Sequence, residues 1–324
     1  MSRIFENQRW IIGLGVVLAL LLVATKLLRP DFGVSGLDAL ARAALPFALA
    51  TVGMAIVVIA GGIDLSVAAM MAVASVSAAA MMKGASDGAA VGIILLVLVL
   101  GCAMGAINGA LIVFTRVPDI VVTLAMLFVW QGVALLILQS PGGGAAPWLR
   151  ELIVGGLSVP LLPQGMTTWL PKAVVFLAVC AAGVWIPVRR SKLGLMLYAV
   201  GSDALAAFRM GIPVSAVRIS SYVIAGLFAA LGGISLTMST GIGEPIPGPY
   251  LLASVAAVVL GGVVLGGGRG GIIGPILAVF VLRLLRLDLT LFSVDPNVTT
   301  IIEGSIMVVV VMLGGRLMLS GGKA

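Results

Sequence analysis

Arg189-Arg190-Ser191-Lys192-Leu193-Gly194-Leu195-Met196-Leu197-Tyr198-Ala199-Val200-Gly201-Ser202-Asp203-Ala204-Leu205-Ala206-Ala207-Phe208-Arg209-Met210-Gly211-Ile212-Pro213-Val214-Ser215-Ala216-Val217-Arg218 lies between two apolar runs, each long enough to cross a bilayer. The stretch carries five basic residues, Arg189, Arg190, Lys192, Arg209 and Arg218, against one acid, Asp203. A short loop this basic between two spans stays on the cytoplasmic side. That placement orients every other span. The middle of the loop is amphipathic and rich in Ala and Gly, which suits docking to a cytosolic protein.

Composition fixes the class. The chain has 324 residues, of which 61% are hydrophobic and 10% charged, with a mean hydropathy of +1.26. A soluble domain carries about 25% charged residues, so the chain reads as all-α and polytopic in the membrane. The net charge of +7 lies in inter-span loops, where it sets topology, and no basic patch interleaved with aromatics points to nucleic acid. Cys102 and Cys180 both fall in apolar runs and match neither a disulfide framework nor a metal motif. Histidine is absent, which removes the commonest general base and metal ligand.

A span needs about 20 apolar residues. Working outward from the basic loop, such runs are expected near 10–28, 40–60, 67–82, 91–114, 120–138, 172–188, 219–239, 250–265, 272–285 and 298–313. About ten spans with both termini cytoplasmic follow. The first run is too long for a cleaved secretory signal. Alternation places Arg3, Arg9, Arg116, Arg269, Arg316 and Lys323 on the same side as the basic loop. Asp31, Asp38, Asp87, Glu151, Glu244, Asp288 and Asp295 fall outside. Residues 139–171, broken by Pro and Gly, form an external loop, with a short helix on the membrane through Trp148 and Trp169. Residues 241–249 form a rigid external turn. The whole chain, 1–324, reads as a single transmembrane domain, with 189–218 as its cytoplasmic docking loop.

Catalytic motifs are missing. No Gly-x-x-x-x-Gly-Lys-Ser/Thr phosphate loop is present, and Gly266, Gly268 and Gly271 match the dinucleotide fingerprint outside any βαβ context. The chain therefore reads as a non-enzyme with no cofactor of its own. Small residues recur at four-residue spacing, at Gly101, Gly105 and Gly109 and again at Gly262, Gly266, Gly270 and Gly274. Such spacing lets helices approach closely in lipid. Polar groups inside the apolar runs are costly there and mark candidate pathway positions. They are Asp64, Ser66, Asn108, Thr123, Gln131 and Glu303, with Asp119 and Arg283 beside them. Asp64 follows Gly61-Gly62, where a helix would break and restart. It is either the cap of the third helix or a residue lining the path. Arg42 and Arg283 are expected to snorkel.

Together these residues carry a resemblance. Gly61-Gly62-Ile63-Asp64-Leu65-Ser66-Val67, Asn108-Gly109, Val117-Pro118 and Val122-Thr123-Leu124-Ala125-Met126 resemble the membrane subunits of ribose/galactose-type sugar ABC importers. So do the loop from Gly194 to Ile212, Ala256 to Gly262, and Gly267-Gly268-Arg269-Gly270. The motifs run in matching order from about residue 45 to 310. The resemblance implies a two-fold permease in the bacterial inner membrane. Its partners would be cytosolic ABC ATPase subunits, which bind the ATP, a periplasmic substrate-binding protein, and a second permease copy, identical or paralogous. It also implies that Gly194, Tyr198, Gly201, Asp203, Ala206, Ala207 and Gly211 form the ATPase-coupling loop. Ala68, Asp119, Asp203 and Tyr250-Leu251-Leu252-Ala253 depart from the commoner pattern, so the resemblance does not single out one sugar. Its expected cargo is a monosaccharide or polyol. A nucleoside, a signalling furanone or a branched amino acid remains open. So does an ion-coupled secondary transporter, for which Asp64, Asp119 and Glu303 would be the coupling carboxylates.

Overall fold

A computed structural model of the chain describes residues 2–157, 168–246, 248 and 250–320. The described residues form thirteen helices. The first four are α1 (Ser2–Leu28), α2 (Val34–Ile59), α3 (Val67–Met82) and α4 (Asp87–Thr115). Next come α5 (Asp119–Ile137), the short α6 (Pro147–Glu151) and α7 (Lys172–Arg190). The basic loop is itself helical, as α8 (Lys192–Ser202) and α9 (Ala204–Arg209). The chain continues through α10 (Val214–Thr240), α11 (Tyr250–Leu260), α12 (Ile273–Leu291) and α13 (Pro296–Ser320). Among the described residues there are no strands, only isolated bridges pairing Gly142 with Gly243 and Gly156 with Pro171.

Six helices are long and apolar enough to cross a membrane: α1 from Trp10, α2, α4, α5, α7 and α10. This is the architecture of a polytopic membrane protein. The bundle is built around α2 and α3. A helix that is apolar all round belongs in a core, and α2 is buried from Ala44 to Ala60. α3, at 16 residues, and α11, at 11, are shorter than a span needs, and α3 is almost entirely buried in protein. α10 packs along α4, α2 and α3. Its contact with α4 is made by small residues: Gly101 meets the backbone of Gly226, and Gly105 that of Tyr222. α1 stays at the periphery, with 11% of its span buried, and packs mainly on α12.

Several expectations need correction. The second span begins earlier than 40, at Val34, because Asp38 and Arg42 pair at 2.9 Å one turn apart and carry the helix through its polar first turns. Arg42 is thus paired rather than free to snorkel. The eighth span ends at Leu260, not 265. The second small-residue series does not lie on one helix: Gly262, Gly266 and Gly270 sit in the turn between α11 and α12. Three-dimensional closure explains this, since Gly261 meets the backbone of Gly274 and Pro275 and the chain must reverse between them. Trp148 lies in α6 and Trp169 in the turn before α7. The rest of the expected external loop, 158–167, lies outside the described residues, as do Pro247 and Pro249 of the external turn.

Candidate functional site

Two ends of the bundle carry polar chemistry. At the first, α2 stops at Ile59 and the chain turns through Gly61, whose φ of +84 only glycine adopts without strain. Gly62 follows, where an added Cβ would stand 2.7 Å from Asp119 Oδ2 and 2.8 Å from Tyr222 Oη. The turn delivers Asp64 and Ser66 to the start of α3. Asp64 Oδ1 accepts from the Ser66 amide at 2.9 Å and from Ser66 Oγ at 2.6 Å. Ser66, not Asp64, is the N-cap residue of α3; Asp64 closes the turn that precedes it. Ser66 Oγ accepts from Asn108 Nδ2 of α4 at 2.7 Å. Asn108 Oδ1 accepts from Trp130 Nε1 of α5 at 3.2 Å. One chain of hydrogen bonds therefore ties the α2–α3 corner to α4 and α5.

A second set closes the same end. Asp119, at the start of α5, accepts from Tyr222 Oη of α10 at 2.9 Å, and Arg218 Nη1 lies 4.0 Å from its other oxygen. Thr123 donates to the Asp119 carbonyl at 2.8 Å and lies 3.3 Å from that of Ile63. Asp64, Ser66, Asn108 and Thr123 are thus brought together, all fully buried. Asp64 Oδ2 is buried without a partner.

Burial raises the Asp64 carboxyl, in the connection between α2 and α3, from 3.8 to about 6. The Ser66 hydrogen bonds lower it and the Asp119 charge adds to the rise. Folding thus raises this pKa, so its contribution to stability is whole below the unfolded value and is lost as pH climbs through about 6. Ionisation of Asp64 is expected to cost about 3 kcal/mol. The Asp64→Asn variant should therefore gain stability relative to the native chain by about that amount between pH 4 and pH 8. Denaturation midpoints of the two proteins across that range check it; a gap that does not change with pH contradicts it.

The basic loop is fastened to this end. Ile59 accepts from the Gly268 amide at 2.8 Å. Gly201 of α8 packs on both, so closely that a Cβ there would collide with the Ile59 carbonyl. Tyr198 Oη donates to the Gly270 carbonyl at 2.8 Å. Asp203 caps α9, accepting from the Leu205 and Ala206 amides at 2.9 Å each. Gly194, Gly201 and Ala207 face inward, whereas Asp203, Ala206 and Gly211 are exposed and Tyr198 is half-buried. The exposed large apolar side chains of the loop are Leu195, Leu205, Phe208 and Met210, at 73, 59, 68 and 75%. The sequence reading passed over these four. Their signal was large apolar side chains in a segment rich in basic and small residues.

The other candidates lie at the opposite end. Gln131 donates to the Pro245 carbonyl at 2.5 Å. Around it, Gly142 and Gly243 exchange two backbone hydrogen bonds of 3.1 and 2.7 Å, and the Glu244 amide donates to Ser75 Oγ at 3.2 Å. Glu303 pairs with Arg286 at 3.5 Å. Arg283 does not snorkel; its guanidinium rests over Phe47 and Tyr250, 5.2 and 5.6 Å from the ring centres. The parts played by Tyr222, Trp130 and Arg218 were also missed, because nothing local marks a residue whose partner lies on another helix, 103 positions away for Tyr222 and 22 for Trp130.

The family described as branched-chain amino acid transport system / permease component matches residues 36–311. The chain belongs to that family. It is a transport permease and not an enzyme. Its relatives include the ribose import permease protein RbsC of Escherichia coli K12, 28% identical over 97% of each chain. The ribose import permease protein RbsC of Bacillus subtilis 168 is 30% identical over 91% of this chain and 90% of its own. The galactofuranose transporter permease protein YtfT of Escherichia coli K12 is 29% identical over 96% and 92%. The resemblance read from Gly61–Val67 and the motifs after it holds over the whole length. No solved structure matches the chain.

Proposed function

We propose that the chain is the permease subunit of an ATP-binding-cassette importer, carrying a monosaccharide or polyol across the bacterial inner membrane. Separate ATPase subunits bind the ATP, a periplasmic binding protein delivers the cargo, and a second copy, identical or paralogous, completes the pathway. The whole chain acts as one domain of ten spans: the six long helices plus α3, α11, α12 and α13, with both termini cytoplasmic. What supports this orientation is that the basic loop, the α2–α3 corner, the start of α5 and the Gly266–Gly271 turn meet at one end of the bundle.

The observation that carries the reading is full-length similarity to permeases of ribose and galactofuranose import, joined to the fastening of the docking loop. α9 and its C-cap present Leu205, Phe208 and Met210 to the ATPase. α8 seats Gly201 on Ile59 and Gly268. A push on α9 is thereby delivered to the turn that holds Asp64 and Ser66, and through Asn108 and Thr123 to α4 and α5. Closure of the ATPase pair rearranges this inner end and the pathway switches from outward- to inward-open. A neutral sugar needs hydrogen-bonding groups along its route and no matching charge. Ser66, Asn108, Thr123 and Gln131 provide such groups, with Asp64 and Glu303 flanking them. The autoinducer 2 import system permease protein LsrD of Escherichia coli, 28% identical over 94% of this chain, supports a signalling furanone as the second reading of the cargo.

Phe208→Ala tests the coupling. A Phe side chain buried against a partner contributes about 1.5–3 kcal/mol, so ATP-driven uptake of labelled ribose, galactose or their furanose forms should fall about tenfold. Sugar affinity of the isolated binding protein is the control and should not move. Uptake at the native rate rejects the assignment of α9. Competition by autoinducer 2 but by no pentose or hexose would move the cargo to the second reading.

A further inference from the structure

At the end of the bundle away from the docking loop, a cleft of about 340 Å³ opens between the α1–α2 corner and α12. Its floor is apolar, made by Phe32, Leu287 and Leu291, and three guanidiniums, Arg29, Arg283 and Arg286, line it with no carboxylate among the lining residues. The walls are held in place. Thr25 of α1 donates to Asp288 of α12 at 2.7 Å, and Lys26 Nζ donates to the Pro30 and Phe32 carbonyls at 2.6 and 2.8 Å. Arg29 has Asp31 at 3.1 Å and Arg286 has Glu303 at 3.5 Å. Arg283 pairs with no carboxylate among the described residues, and its Nε is buried without an acceptor. Arg283, stacked on Phe47 and Tyr250, lines the cleft with a charge that no carboxylate among the lining residues compensates.

We infer that this cleft binds the headgroup and upper acyl chain of an anionic glycerophospholipid. The phosphate sits on the guanidiniums, whose planar forks match phosphate oxygens. The acyl chain runs along Phe32, Leu287 and Leu291. A free anion would leave that apolar floor unused. The position favours lipid as well: the cleft lies at the α1–α2 corner, beside a first span that is only 11% buried.

The test is native mass spectrometry of the purified full-length chain after exchange into detergent with dioleoyl phosphatidylglycerol or dioleoyl phosphatidylcholine. Phosphatidylglycerol should be retained at least about tenfold more than phosphatidylcholine. Arg283→Gln should remove that preference. Because Arg283 also stacks on Phe47 and Tyr250, a second variant is required. Ala43, exposed at the rim of the cleft, is replaced in Ala43→Trp, which fills the cleft from outside and should lower retention to the same degree with an unchanged unfolding midpoint. Equal retention of both lipids, or retention unaffected by Ala43→Trp, overturns the inference. Displacement of phosphatidylglycerol by millimolar inorganic phosphate would assign the site to a free anion and overturn the lipid as its occupant. No displacement supports the lipid.

Discussion

Gly201→Val is expected to lower ATP-driven uptake about 100-fold while leaving ATP hydrolysis by the partner subunits running. The Gly201 backbone lies against the Ile59 carbonyl, the Gly268 amide and the Gly267 backbone, and all of these are main chain, so no side chain can swing aside. Three added carbons, a Cβ and two methyls, must push α8 off the α2–α3 corner. Overpacking of this kind costs about 1–3 kcal/mol, and the Gly268-to-Ile59 hydrogen bond of 2.8 Å is strained with it. A change of about 2.7 kcal/mol is a hundredfold in a two-state population. The contact being loosened is the one that passes motion of the loop to the pathway, so hydrolysis and transport should separate. Proteoliposomes report both rates at once. Coupled transport at the native ratio of sugar to ATP would contradict the role given to this contact.

Asn108→Ala should produce the second largest loss, a fall of between about tenfold and a hundredfold in uptake. Asn108 is fully buried and bridges Ser66 Oγ at 2.7 Å and Trp130 Nε1 at 3.2 Å. Its removal leaves the indole N–H without an acceptor and Ser66 without its donor. Each orphaned buried group costs about 1–3 kcal/mol, and the corner that carries Asp64 loses its tie to α4 and α5. Substrate affinity of the binding protein should not change. The comparison is Gln131→Ala at the far end, where the backbone pairing of Gly142 with Gly243 remains. Its effect should be smaller. Equal losses in the two variants would mean that the inner network has no special part in switching.

How far the sequence led can be judged from particular residues. The class was legible because composition alone rules out a water-facing surface. The loop at 189–218 was legible as a separate element because a run of basic residues interrupts the apolar spans. Gly61 and Gly62 marked the break between α2 and α3, since two glycines before an acid and a serine rarely continue a helix. The second small-residue series misled, because Gly262, Gly266 and Gly270 have the spacing of a helix face but are needed for a chain reversal against Gly274 and Pro275. Spacing does not distinguish these uses. The partners of Asp119 were not legible. Tyr222 and Asp119 are 103 positions apart, and only the packing of α10 along α2, α3 and α4 brings them together at the α2–α3 corner. The inward face of Gly201 and the outward face of Phe208 were likewise fixed by how α8 and α9 sit on the bundle, which no local pattern records.

The central claim is that this permease works through a cytosolic ATPase docked on α8 and α9. The most direct measurement is to capture the tagged chain from native membranes in mild detergent and identify the bound proteins by mass spectrometry, for the native chain and for Phe208→Ala. The account predicts an ABC ATPase subunit in stoichiometric amount with the native chain and depleted with the variant. Recovery of the chain with no ATPase, together with sugar uptake that follows an ion gradient and ignores ATP, would contradict it and turn attention to Asp64, Asp119 and Glu303 as coupling carboxylates.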